Sequence, residues 1–508
     1  MDTEVLITGA GPTGLVLALW LDAQGVRVRI IDKSAEPGTT SRALAVHART
    51  LELYRQLGFG DAVAAAGHRS PAMNLWVGGV RRARLPIGEF GGAITPYPFV
   101  LIYPQDLHER FLVDRLRDRG VTVERRTELI DFTQDDAAVT AHLRRPDNGI
   151  ETVRCAYLAG CDGARSTVRK ELGADFEGGT YEQRFYVADV TVRSDTLNGE
   201  LNISFEGPDF LLVMPYGQPG RLRFVGTVRP GRQTRREDFT FDDVAQGAVE
   251  ALGLRVDTVN WFSTYHSHHR LTDHFRYRRA FLLGDAAHVH SPAGGQGMNT
   301  GIGDAINLAW KLASVLKGTA DDRLLDSFEP ERQTFARKLV ETTDRAFGFV
   351  TKEGSLAEFV RTHIAPIFVK AAWSFEATRE LLFRIVSQTM ISYPESPLSA
   401  GKAGKVSGGE RLPYVRFDGG DNYASLSSIG WQVHLYGAAS PKLQRWCAEH
   451  RLPLHVFAWR DEFQEAGLAR DALYLLRPDS YVGLADESGD HLVLERYFAE
   501  RRLRGNAP

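Results

Sequence analysis

Near its start the chain passes from a short β-branched run, Val5 to Thr8, through Gly9-Ala10-Gly11-Pro12-Thr13-Gly14 into the apolar stretch Leu15 to Leu21. It then enters "VRVRIID", where apolar and polar positions alternate up to Asp32. That order predicts strand, tight turn, helix and second strand. A loop containing Pro37 and Gly38 leads to Arg42, and an amphipathic helix is predicted from near His47. A further helix is expected in "YPQDLHERFLVDRL", Tyr103 to Leu116, with Gln105 near its start. "RCAYLAGCDGARSTVRKELG", Arg154 to Gly173, reads as an apolar strand running into Cys161-Asp162-Gly163 and then a helix bearing Ser166 and Arg169.

Between Glu171 and His290 the rhythm changes to period 2, in "RFYVADVTV", "LNISFEG", "DFLLVMPYG" and "RLRFVGTV". Phe210, Leu212, Met214 and Tyr216 then share one face of a strand, and such a sheet can roof an apolar pocket. "FLLGDAAHVHSPAGGQGMNTGIGDA" predicts another strand, a glycine-rich turn and a helix from about Thr300 to Leu316. Residues from about 320 to 390 look helical. "YPESPLSAGKAGKVSGGERLP" is rich in Pro, Gly and Ser and reads as a linker. Beyond it "GWQVHLYG", "PKLQRWCAEHR", "PLHVFAW" and "DALYLLRPDSYVGLADE" give a β-α-β-β order.

Bulk properties narrow the function classes. A chain of 508 residues exceeds one ordinary core, so two or three domains are expected. With 61 Lys+Arg against 64 Asp+Glu and no basic block, neither nucleic acid nor an anionic membrane is an expected partner. The uncharged stretch Val5 to Leu21 follows Asp2 and Glu4 and is broken by Gly9, Gly11, Pro12 and Gly14, so it reads as neither a signal nor a membrane span. Cys155, Cys161 and Cys447 form no disulfide framework and match no zinc spacing, which fits a reducing cytoplasm. His266, His268, His269 and His274 lie close together, but only His266 and His268 would share a strand face, and no Cys or acid completes a metal set.

The G-x-G-x-x-G run has a mechanical reading. Gly9 allows the tight turn, Gly11 lets a pyrophosphate approach the backbone, and Gly14 lets helix and strand pack closely. The helix N-terminus holds the anion, and Asp32 accepts hydrogen bonds from ribose hydroxyls. The motif by itself does not separate FAD from NAD(P).

Three motifs in order, Gly9-x-Gly11-x-x-Gly14, Asp162-Gly163 in "CDGARSTVR", and Gly284 to Asn299, make the sequence resemble the single-component FAD-dependent aromatic hydroxylases. These are the p-hydroxybenzoate hydroxylase-like class A flavoprotein monooxygenases, here in their phenol and polyketide hydroxylase branch. The resemblance covers about residues 1 to 390. It implies an α/β (α+β mixed) fold. A discontinuous Rossmann-like FAD-binding domain would occupy residues 1–175 and 270–390. An inserted antiparallel-sheet substrate domain would occupy 176–269 with part of 70–100. The tail, 391–508, resembles the thioredoxin-like C-terminal domain of phenol-hydroxylase relatives. It has only Cys447 and no C-x-x-C, so a structural or homodimer-forming role is expected there.

The same resemblance implies the site. FAD contacts fall on Gly9, Gly11, Pro12, Thr13, Gly14, Asp32, Lys33, Arg42, Gln105, Asp162, Asp285, Pro292, Gly295, Gly297, Met298 and Asn299. Asp285 would face the ribityl and pyrophosphate end, and the backbone N–H groups of Gly297, Met298 and Asn299 the flavin N1/O2 edge. Arg42 resembles the arginine in the loop beside the flavin. Gln105 resembles the glutamine reaching the ribityl chain, and Asp162 the acid serving both FAD and transient NAD(P)H. Asp32 stands where Glu is commoner. The implied activity is hydroxylation of a phenolic or polyketide-type ring with NAD(P)H and O₂ through a flavin C4a-hydroperoxide, with the Pro292 carbonyl nearby; no general base is identified. No second Rossmann unit is present for the nicotinamide. A flavin-dependent halogenase is the rival enzyme, but none of the eight tryptophans has a partner two residues away, as W-x-W-x-I-P requires. A flavin-bearing regulatory or scaffold protein is the non-catalytic rival.

Overall fold

A computed structural model describes residues 1–38, 43–86, 91–194, 197, 199–206, 209–217, 220–228, 240–244, 246–290, 295–337 and 376–504. Its first sheet is built around Thr3–Thr8, every residue of which is buried except Glu4. This strand pairs in parallel with Val28–Asp32 on one side and Ile150–Gly160 on the other. Ala280–Leu282 and Val123–Arg125 extend the parallel set outward. Leu15 to Leu21 are buried without exception, because the helix Pro12–Ala23 lies between the long helix Gln296–Leu316 and the helix Gln105–Asp118. Pro12 fits its start, where a missing N–H costs nothing.

Strand register decides where the site lies. Thr8 is opposite both Ile31 and Gly160, and Gly160 is opposite Leu282. The four strands therefore end level, and the residues that follow, Gly9, Asp32, Asp162 and Gly284, emerge along one edge. Ligands of open parallel sheets bind outside that carboxyl edge.

The second sheet has eight strands, in the order His288–Val289, Arg255–Thr272, Phe176–Arg193, Arg221–Thr227, Asp209–Pro215, Leu201–Glu206, Ala72–Val77 and Val80–Pro86. All its pairings are antiparallel except Leu201–Glu206 with Ala72–Val77. Leu211 and Val213 point into a core with Phe224, Phe241 and Ala248. On the other face, Met214 and Leu201 form a smaller cluster with Leu44 and Ile102, flanked by Met73, Leu212, Tyr216 and Val225. His266 and His268 sit on the long strand Arg255–Thr272, bonded to Arg184 and Thr180.

The segment from Tyr393 to Pro413 is folded structure, and the linker expectation is corrected. Ala400–Ala403 pairs in parallel with Val482–Asp486 and antiparallel with Val406–Ser407, giving a six-stranded third sheet. Tyr393, Leu398, Ala403, Arg411 and Leu412 are buried. The glycines serve close packing: a Cβ on Gly401 would lie 2.2 Å from the Ala485 carbonyl oxygen, and one on Gly409 2.4 Å from that of Tyr393. The tail carries the expected β-α-β-β run, with two further helices, Asp461–Glu465 and His491–Glu500.

Buried charge joins this C-terminal part to the helices Ala48–Gln56 and Gln296–Leu316. Glu52, in the helix Ala48–Gln56, accepts from Arg49 at 3.1 Å and from Arg411 at 2.6 Å. Glu331 accepts from Lys311 at 2.8 Å and from Arg477 at 2.7 Å, with all three side chains at 0% exposure. Burial alone would push the Glu52 carboxyl up, but Arg411 and Arg49 hold it below the ordinary range. Removing one partner from such a cluster leaves an uncompensated charge out of water.

His108 and His434 are buried, and no carboxylate bonds either among the described residues. Burial pushes His108, which shares a 3.0 Å hydrogen bond with Tyr54, down to about 3, and holds His434 well below its ordinary value. Between about 3 and 6.5 the unfolded chain binds a proton at His108 that the folded chain refuses, so stability rises with pH across that window. Lowering the pH to about 5.5 should cost about 1.4 kcal/mol for each such histidine. Urea unfolding at pH 7.5 and 5.5 checks this, and His108→Gln should flatten the slope.

Candidate functional site

The two glycine-rich ends meet at Thr13. A Cβ on Gly301 would lie 2.4 Å from Thr13 Oγ1, and one on Gly284 2.7 Å from it. The first turn of the helix Pro12–Ala23 is thereby seated against the turn Gly284–Ala286 and the long helix Gln296–Leu316. Gly14 packs as tightly, its added Cβ falling 2.0 Å from the Gly9 carbonyl oxygen. Gly11 differs, with nothing within 4 Å of an added Cβ. The helix starts at Pro12 with Gly11 as its N-cap and no side chain bonded there, so its first N–H groups face the space above Gly11.

Asp32 ends the second strand. Its Oδ2 accepts from the Ala10 N–H at 2.7 Å and its Oδ1 from the Ser34 N–H at 2.7 Å. The carboxylate thus shapes the glycine turn itself, a task the sequence reading did not assign to it, and Lys33 beside it is exposed. Asp162 Oδ2 accepts from Thr167 N at 2.7 Å and from Val168 N at 3.2 Å, while its Oδ1 is buried without a hydrogen-bond partner among the described residues. Arg169 bridges this turn to the next, donating to the Ala164 and Ala286 carbonyls.

The second glycine-rich end begins at Gly284. Asp285 is exposed at the head of its turn. The long helix starts at Gln296, four residues earlier than expected, because Gly295 takes φ 62° and turns the chain into it. Gly297, Met298 and Asn299 are accordingly first-turn residues, whose N–H groups have no partner within the helix. No side chain caps that end among the described residues. The Asn299 side chain accepts from His47 N at 2.9 Å and from Thr50 Oγ1 at 2.8 Å, and donates to the Ala45 carbonyl at 2.9 Å. It ties the helix start to the chain that follows Arg42.

Gln105 lies farther out on this edge. Its Oε1 accepts from Ala43 N at 3.3 Å and its Nε2 donates to Glu109 at 2.8 Å. Glu109 also accepts from Gly38 N, and burial raises its carboxyl above the ordinary range. Arg42 and Pro292 lie outside the described residues.

Asp304 escaped the sequence reading. At 0% exposure, it accepts from Gly284 N at 3.0 Å, His288 Nε2 at 2.7 Å and Arg332 Nε at 2.7 Å. Burial would push its carboxyl up, but Arg332 and His288 hold it below the ordinary range. A signal was present: Asp304, Asn307 and Lys311 fall three and four residues apart in the otherwise apolar stretch Ile302 to Ala313, the spacing of one polar stripe. Asn307 and Lys311 both bond Glu331, the neighbour of Arg332.

Two uncapped helix starts, an open cradle at Gly11 and an unpartnered carboxylate oxygen on Asp162 fit a molecule with a pyrophosphate at one end and a polar ring edge at the other. Residues 2–343 match the family model described as FAD binding domain. The chain belongs to that FAD-binding family. It is 38% identical over 408 residues to 6-methylpretetramide 4-monooxygenase of Streptomyces rimosus, covering 78% of this chain and 71% of that one. It is 32% identical over 514 residues, 95% of each chain, to the 12-dehydrotetracycline 5-monooxygenase/anhydrotetracycline 6-monooxygenase of Streptomyces rimosus subsp. rimosus. Among solved structures, an anhydrotetracycline hydroxylase from Streptomyces rimosus superposes with TM-score 0.78 at 28% identity, covering 100% of both chains. This FAD-binding family member is an FAD-dependent monooxygenase.

The contrast between Gly11 and Gly14 gives a test. Gly11→Ala should cost the apoprotein no more than the N-cap penalty of about 1 kcal/mol, since no atom lies within 4 Å of the new Cβ, yet weaken FAD binding about 10- to 100-fold. Gly14→Ala should destabilise the apoprotein itself. Thermal unfolding of both apoproteins, with FAD titration of the folded one, separates a phosphate cradle from a merely tight turn.

Proposed function

We propose that this chain hydroxylates a polycyclic phenolic substrate of polyketide type, using NAD(P)H as reductant and O₂ as oxidant. The observation that carries the reading is the apolar cluster on the second sheet. Leu201 and Met214, with Met73, Leu212, Tyr216 and Val225 beside them, pack toward Leu44 and Ile102. Leu44 adjoins Ala45, which is bonded to Asn299 at the start of the long helix. An apolar sheet face is therefore held against the segment that fixes the flavin-edge turn, where a flat ring would lie. Both relatives are named for 6-methylpretetramide or tetracycline compounds, which supports a fused-ring ligand over a single ring.

When bound, FAD supplies the redox chemistry that activates oxygen. The residues of this chain do the rest. Gly11 and the N-terminus of the helix Pro12–Ala23 hold the pyrophosphate, and Asp32 orients the ribose while fixing Ala10. Asp285 and Gln105 are assigned to the ribityl end, and the unpartnered Asp162 Oδ1 to a polar group on the same side. The first turn of Gln296–Leu316 directs N–H groups and the positive end of a helix of 21 residues at the edge where reduction places negative charge. The sheet face orients the substrate and excludes water.

The domain reading is also proposed: 1–175 with 270–390 for FAD, 176–269 with part of 70–100 for substrate, and 391–508 thioredoxin-like. The last is supported by the neighbour order Leu454–Phe457, Gln432–Tyr436, Leu473–Leu476, Val482–Asp486, parallel at the first pairing and antiparallel after it. Burial pushes the Cys447 thiol up to about 11, which speaks against thiol exchange; a structural or homodimer-forming role for this part is proposed on its lack of a C-x-x-C. A cytoplasmic location is supported by three buried cysteines that form no disulfide.

The expected outcome is at least a tenfold rise in NAD(P)H oxidation with a polycyclic phenol, a gain of about 1.4 kcal/mol or more in barrier lowering, together with a hydroxylated product. A panel of phenols, naphthols and linear four-ring polyketides, with peroxide measured alongside, is the assay. Equal consumption with every ring and no oxygenated product rejects the reading and leaves a flavin-bearing scaffold.

A further inference from the structure

We propose that Arg332 and Tyr393 are positioning residues through which the C-terminal part of the chain sets the flavin-edge turn of the long helix. The inference rests on FAD lying across the two glycine-rich turns.

Arg332 is 2% exposed and divides its guanidinium among three partners. Its Nε donates to Asp304 at 2.7 Å, its Nη2 to the Thr300 carbonyl at 3.0 Å and its Nη1 to the Tyr393 hydroxyl at 2.8 Å. The first two contacts converge on the site. Asp304 accepts the Gly284 N–H, so it fixes the turn that presents Asp285, and Thr300 closes the first turn of the helix begun by Gln296 to Asn299. The third contact leads away. Tyr393 is 5% exposed, donates its N–H to the Gly409 carbonyl at 2.8 Å, and has its ring centroid 4.6 Å from that of Tyr481. Both partners belong to the third sheet and its approach, remote in sequence from every FAD motif.

A second strut runs in parallel. Arg49 Nη2 donates to the Asp479 carbonyl at 2.8 Å, and the neighbouring Thr50 donates to Asn299 Oδ1. The start of the long helix is thus gripped from two sides by groups anchored in the C-terminal sheet. A cavity of about 20 Å³, room for one water, is lined by residues of both struts, Arg49, Asn299, Arg332, Tyr393 and Asp479.

The electrostatic consequence follows from the uncapped helix start. Its N–H groups stabilise negative charge at the flavin edge only as far as they are aimed there, because the helix-end effect falls off within about one turn. An Arg fork is rigid and planar, so losing one of its acceptors re-aims the other two bonds. Tyr393→Phe removes a single oxygen and leaves a buried guanidinium N–H without its partner. The expected result is an FAD dissociation constant raised about tenfold and a flavin midpoint potential shifted to more negative values, with the apoprotein still folded. Arg332→Lys keeps the charge but loses the fork and should shift both quantities further in the same direction.

Tyr474→Phe is the control. Its hydroxyl donates to the Ala403 carbonyl and accepts from Ala469 N within the C-terminal core, with no bond to the long helix. It should destabilise comparably while leaving FAD affinity and potential at parent values. FAD titration of the three apoproteins and dye-equilibrated reduction of the holoproteins are the measurements. A Tyr393→Phe protein with parent affinity and potential overturns the proposal. So does an equal shift in Tyr474→Phe, which would reduce the effect to general loss of stability. A parent protein that takes up no FAD fails the flavin reading before any variant is made.

Discussion

Where Thr13 meets Gly284 and Gly301 there is no room for one additional carbon atom. That contact joins two segments far apart in sequence, and the rest of the site depends on it. The parallel register brings four strand ends level; the absence of side chains lets the first and second glycine-rich turns come within van der Waals reach. A buried carboxylate then fixes the junction, because Asp304 accepts from the turn, from His288 and from Arg332 with no water to compete. Two helix starts lie at these turns, one by Gly11 and one at Gln296, an arrangement that fits a dinucleotide with a phosphate end and a ring end.

The charge behind this junction is costly to bury and is therefore well matched. Glu331 has Lys311, Arg477 and Asn307 around it; Glu52 has two arginines and the Thr95 hydroxyl. Such clusters add little net stability over apolar packing, but each specifies one arrangement of the chain. Here they connect the long helix and the helix Ala48–Gln56 to the C-terminal part, which is thereby built in behind the second glycine-rich turn.

The three-motif order was legible in the sequence because glycine, proline and β-branched residues act locally; strand, turn and helix come in the expected order around each motif, although the long helix starts four residues early at Gln296. The period-2 reading of Phe210, Leu212, Met214 and Tyr216 held for the same reason: a pleated strand separates its faces without help from distant residues, and Leu212, Met214 and Tyr216 do lie on the side opposite Leu211 and Val213. The reading failed where composition stood in for contacts. Tyr393 to Pro413 has the Gly, Pro and Ser content of a flexible connector, yet its glycines are spaced for backbone-to-backbone packing that only the partner strand reveals. Asp304, Glu109 and the Asn299 side chain act across long sequence separations, so their partners, Gly284, Gly38 and His47, cannot be deduced from spacing. Asp32 matched its expected position but carries an additional bond to Ala10 that no motif states.

The central claim is that one flavin, seated across the two turns, delivers an atom of molecular oxygen to a fused aromatic ring held against the second sheet. Turnover of a polycyclic phenol under ¹⁸O₂ tests it most directly. The account predicts one labelled oxygen in the ring hydroxyl of the product, formed only with FAD bound and a reduced nicotinamide present. Product carrying oxygen from water alone, or a transformed substrate with no new oxygen, would contradict it.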